Sequence, residues 1–142
     1  MIKDSRGQIS LEYLLIFAVS LIILIAFTLP LLNESMSNTF DVSNSLKSKS
    51  DLSSLAQAIK QVYGEGQGSK QTVTLEVDKP IKIDIADNVI SSKVKLNNNK
   101  YKVEKINVKS KLKANSFNLD KGKNSIVVDW PVGSENMNVY KM

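Results

Sequence analysis

Cysteine and histidine are both absent from the 142-residue chain. That excludes a disulfide framework, a thiolate nucleophile, a Ser-His-Asp relay, zinc fingers and most other transition-metal sites. With no thiol to report the redox compartment, an extracytoplasmic location stays open. Aromatics are also scarce, at 6% of residues with one Trp. Tyr101 is the only aromatic among the lysines that run from Lys93 to Lys113. Single-strand nucleic-acid readers interleave aromatic and basic side chains to stack bases. Nucleic acid is therefore not an expected partner, and the modest net charge of +5 reads as a solvated lysine face. No pair of carboxylates stands out as an acid/base couple. No enzymatic activity, cofactor or metal is expected.

A different absence organises the fold. From Tyr13 to Leu32 there is no charged residue at all, and roughly 20 apolar residues suffice to cross a ~30 Å hydrocarbon core. Lys3 and Arg6 lie on the N-terminal flank, so the positive-inside rule puts Met1 in the cytoplasm and everything after Asn33 outside. The helical beat continues weakly through Met36 and Phe40, fades around Ser43–Ser50, and returns with Leu52, Leu55, Ile59 and Val62. The spacing predicts one helix from about Ile9 to Tyr63, on the order of 80 Å long, with a kink or unwound turn at Pro30. Gly64, Gly66 and Gly68 stop it.

After Lys70 the period becomes two. Val73/Leu75/Val77, Ile81/Ile83/Ile85, Val94/Leu96, Tyr101/Val103, Ile106/Val108 and Ile126–Trp130 read as short strands. Turns are predicted at Asp78–Pro80, Asn97–Asn99, Asp120–Gly122 and Pro131–Gly133. The expected fold class is α+β, a long N-terminal helix followed by an all-antiparallel, sandwich-like β domain. Val, Ile and Leu would fill its interior, with Trp130 and Phe117 as the large fillers, and the lysines at 93, 95, 100, 102, 109, 111 and 113 would alternate outward.

Three short motifs invite chemistry. The glycines of YGEGQGSK, residues 63–70, follow a helix and precede a strand, the reverse of a phosphate-binding loop, so they read as a helix stop and hinge. Asn33-Glu34-Ser35 is an N-x-Ser sequon just outside the apolar segment, which makes Asn33 a candidate glycan acceptor. The third is Glu12, a lone carboxylate at the mouth of the apolar run with no basic residue inside the run to neutralise it.

Around Glu12 the sequence Gly7-Gln8-Ile9-Ser10-Leu11-Glu12-Tyr13, followed by Leu14-Leu15-Ile16, resembles the class III signal peptide of archaeal type IV-like pilins. The short charged leader fits as well. The resemblance implies cleavage between Gly7 and Gln8 by a prepilin peptidase, with Gln8, Ser10, Glu12 and Tyr13 as the processing and assembly motif. It also implies a structural subunit rather than an enzyme, with copies of itself, the membrane, an assembly ATPase and a platform protein as partners. The division expected is a leader at 1–7, a long helix at 8–63 with 13–32 as the transmembrane and filament-core part, a glycine-rich hinge at 64–70, and an extracellular β domain at 71–142. The subunit would sit first in the cell membrane and then in an adhesive surface filament. The alternatives are a monomeric single-pass anchored binding domain, a minor pilin, and an archaellum-related subunit.

Overall fold

The computed structural model describes residues 5–97 and 99–142, with side chains from residue 10. The expected helix is present as α1, Ser5–Glu65, a few residues longer at each end than its periodicity suggested. Pro30 lies inside it, and no unwound turn interrupts it there. Proline removes a single bond to the carbonyl of Ala26, and the helical bonds on either side outlast that loss. The chain divides into two compact units, one ending at Phe40 and the other running Asp41–Met142.

Within the second unit, the last turns of α1 carry one buried stripe: Ser45, Ser48, Leu52, Leu55, Ile59 and Val62. Alternating steps of three and four keep these side chains on one helical face. The polar end of this stripe is the stretch where hydrophobic periodicity fades. Its small serines let the helix approach a strand closely, and the Ser48 and Ser92 hydroxyls share a buried hydrogen bond of 2.5 Å. Lower down, the apolar members enter a single core, and burying each contributes about 1.5–3 kcal/mol.

Among the described residues seven strands follow: β1 Lys70–Val77, β2 Ile81–Ala86, β3 Val89–Lys95, β4 Tyr101–Asn107, β5 Asn115–Leu119, β6 Gly122–Asp129 and β7 Asn138–Lys141. They form two antiparallel sheets, ordered β1-β6-β7 and β4-β3-β2-β5. In the second sheet, three hairpin-connected strands are joined by a fourth that returns beside the first, a Greek key. The core takes Leu75 and Val77 from β1, Ile83 and Ile85 from β2, Ile90 from β3, Ile126 and Val128 from β6 and Val139 from β7, together with Leu52, Leu55, Ile59 and Val62 of the α1 stripe. The α+β class and the all-antiparallel strands are as the sequence predicts. The lysines at 93, 95, 100, 102, 109, 111 and 113 are all exposed.

Two large side chains sit differently from expectation. Trp130 and Phe117 are only partly buried, packed against the core rather than inside it. Trp130 stacks on Tyr63 at 5.7 Å and 5°, and its indole N–H donates to the Ser134 carbonyl at 2.8 Å. An indole N–H turned away from water needs such an acceptor, and the loop after β6 supplies it.

The junction between helix and strands is cross-linked. Gly66, at φ 92°, donates to the Val62 carbonyl at 3.0 Å, the single-bond left-handed cap that favours glycine. Gly68 donates to the Trp130 carbonyl at 2.6 Å, and Trp130 donates back to Ser69 at 3.0 Å. The Gln67 amide bonds both Ser134 and Gly133 at 3.0 Å. At the opposite end of this unit, the Asp41 carboxylate accepts the Asn97 N–H at 2.9 Å. Asn99 completes that turn at φ 59°, a conformation asparagine tolerates better than most residues.

One acidic side chain in this unit carries a pH signature. The Asp51 carboxyl, on α1, is held above its ordinary value chiefly by burial; Lys47 pulls it down and Asp78 adds to the rise. A raised carboxyl favours the folded state below its unfolded value, and that advantage disappears as pH climbs through the folded value. Asp51→Asn is therefore expected to raise the melting temperature at neutral pH, with the gain fading below about pH 4. Thermal unfolding of both chains across that range measures it. A gain that persists undiminished in acid would contradict the assignment.

Candidate functional site

The N-terminal segment of α1 is apolar on every side. Every large apolar side chain from Leu11 to Leu32 is exposed, including Tyr13 at 70%, Phe17 at 67% and Phe27 at 71%. A helix that is hydrophobic all round belongs in a membrane or in the interior of a larger assembly. By length and composition it is able to cross a bilayer, and helical pairing satisfies its backbone internally, as lipid requires, apart from the Ala26 carbonyl opposite Pro30. The aliphatic hydroxyls of Ser20 and Thr28 within it are also satisfied locally. Ser20 donates to the Ile16 carbonyl at 2.7 Å and Thr28 to that of Leu24 at 2.6 Å, so neither carries an unpaired donor into an apolar medium.

Five of the six residues singled out from the sequence lie together at the start of this helix. Gly7 and Gln8 are in the helical backbone; the Gln8 side chain lies outside the described residues. Ser10, Glu12 and Tyr13 are helical and exposed. Positions 8 and 12 stand one turn apart on the same face. Among the described residues, no cation pairs with Glu12.

Asn33 lies apart from that group, exposed and within α1. Its sequon is on a helical stretch rather than on the surface loop that an N-x-Ser acceptor usually occupies. Among the described residues, no group of three or more His, Cys, Asp or Glu gathers as a metal site. The exposed ion pairs lie elsewhere, such as Lys47–Asp78 at 2.6 Å and Lys141–Asp120 at 2.7 Å. Sequence reading missed a cleft beside α1 that brings Lys60 and Tyr63 together with Asn107 and Lys109. These residues are far apart along the chain and carry no shared motif, so only the fold reveals them.

Residues 5–31 match the family model for the class III signal peptide, the hallmark of archaeal type IV-like pilins and archaellins. The matched stretch contains Gly7, Gln8, Ser10, Glu12 and Tyr13 and runs into the exposed apolar helix. That peptide supports a type IV pilin-like or archaellin-like secreted subunit. It fits a chain anchored in the membrane and later displayed at the surface. No curated protein and no solved structure matches the chain.

Proposed function

We propose that the chain is the structural subunit of an archaeal type IV-like pilus. A prepilin peptidase cuts between Gly7 and Gln8 on the cytoplasmic side, and residues 13–32 hold the product in the membrane. An assembly ATPase and platform protein then draw the same helix into a filament core. The β domain, residues 71–142, forms the outer surface and the adhesive face, and segment 64–70 joins the two. The observation that carries this reading is the class III signal peptide at residues 5–31 on a helical segment, Leu11–Leu32, whose large apolar side chains are all exposed.

Cleavage solves the problem of Glu12. It creates an α-ammonium on Gln8, and a buried carboxylate and amine attract strongly where either alone is costly. The amine of one subunit meeting Glu12 of its neighbour fixes their register as a new subunit docks. Lipid tails are as apolar as the helix itself, so packing and this pair must supply much of the selectivity of assembly.

Gly7→Val tests the cutting step. Glycine offers no side chain to obstruct an extended backbone in the peptidase, whereas valine is branched at Cβ. The expected outcome is accumulation of uncut chain in the membrane fraction, with normal insertion, read from mobility on gels and from peptide mass. Normal processing of the valine chain would contradict the assigned junction. Filaments sheared from cells and analysed by mass spectrometry test the reading as a whole. This chain should be a component, abundant if it is the major pilin and sparse if it is a minor one. Its absence from every filament, with the protein still in the membrane, would favour a monomeric anchored domain.

A further inference from the structure

A cleft of about 430 Å³ opens between one flank of α1 and the segment leaving β4, entirely within the Asp41–Met142 unit. Sites for small ligands span roughly 300–1,000 Å³. Its floor includes Ala56 and Val108, both partly buried against the core. Its rim carries Gln57, Asn107, Lys60 and Lys109, and among the described residues no carboxylate lines it. Among the described residues, neither Lys60 nor Lys109 has an anionic partner. Tyr63 forms a wall. Its ring is held in place by the stack on Trp130, yet the side chain remains 50% exposed.

We propose that this cleft binds an acidic sugar, a uronic-acid-type residue of a polysaccharide. Each part of such a ligand has a counterpart in the cleft. The C–H face of a pyranose ring suits a preorganised aromatic wall, which costs no ordering on binding. Sugar hydroxyls suit the two amides, which both donate and accept. A carboxylate suits two ammonium groups that have no anionic partner, through charge-assisted bonds. A single-stranded nucleic acid would call for a row of stacking aromatics along a basic track, and the cleft holds one. An acidic peptide would engage the lysines and leave the aromatic wall unused.

Binding at the cleft requires no polymerisation, so the test uses the unassembled full-length chain in a nonionic detergent. Calorimetric titration with oligogalacturonate should show one site per chain. Lys60→Gln and Lys109→Gln should each weaken it about tenfold, the equivalent of about 1.4 kcal/mol. Lys93→Gln and Lys95→Gln, exposed elsewhere on β3, should leave affinity unchanged. No binding at millimolar oligogalacturonate, or full affinity in both cleft variants, would overturn the proposal. So would equal binding of a neutral galactose oligomer, or of polyglutamate or oligo-dT with the same dependence on Lys60 and Lys109.

Discussion

Cells carrying Glu12→Ala should insert and cut the subunit normally but display few filaments. Removing a charge from the mouth of an apolar helix makes the helix more compatible with lipid, so insertion does not suffer. On the proposed reading cleavage depends on the Gly7–Gln8 junction, which the substitution leaves intact, so it should continue. Assembly suffers because the Gln8 amine then enters the filament core without its counter-charge, and an unpaired buried charge costs about 3–5 kcal/mol. Glu12→Gln should behave like the alanine chain, since it keeps the shape and loses the charge. Glu12→Asp should fall between, because the shorter side chain keeps the charge but reaches less far. Filaments per cell are counted by electron microscopy, with total and processed subunit quantified in the same cultures. Wild-type filament numbers in the alanine chain would mean that the pair does not guide assembly and that Glu12 serves the membrane anchor alone.

Ile59→Ala should destabilise the Asp41–Met142 unit by about 2–5 kcal/mol, the usual range for an isoleucine truncated in a packed interior. Ile59 is fully buried, in the stripe that joins α1 to both sheets. Its loss removes apolar contact and leaves a void between helix and strands. Leu46→Ala provides the contrast. That side chain lies on the same helix but is 63% exposed, and surface changes of this kind stay within about 0.5 kcal/mol. Thermal unfolding of the full chain in detergent, followed by circular dichroism, distinguishes the two. Equal losses, or a larger one at Leu46, would show that the stripe has been assigned to the wrong face.

Periodicity made most of this architecture legible. The change from a helical beat to alternation across Gly64–Gly68 located the boundary, and Ile81/Ile83/Ile85 are inward as their spacing requires. Two strands escaped notice for a physical reason. β5 and β7 are edge strands whose buried positions reduce to Leu119 and Val139, with Phe117 only half covered. So few inward residues produce no detectable alternation. Ser45 and Ser48 were missed because burial there serves close approach and a hydroxyl pair, not hydrophobic contact. Trp130 misled in the opposite sense, since a large aromatic suggests a core filler and this one closes the rim beside Tyr63.

The candidate processing site was legible because it is linear. The class III signal peptide model matches consecutive residues, 5–31, so Gly7, Gln8, Ser10, Glu12 and Tyr13 declare themselves without a fold. The cleft at Lys60 and Lys109 is the converse, since its groups converge only after the helix packs beside the β4 connection.

The most direct test of the central claim is the identity of the first residue on the native protein. Intact-mass and N-terminal peptide analysis of the chain from sheared surface filaments should find Gln8 at the start, free or cyclised to pyroglutamate, and no peptide from residues 1–7. Recovery of the chain with residues 1–7 still attached would contradict it.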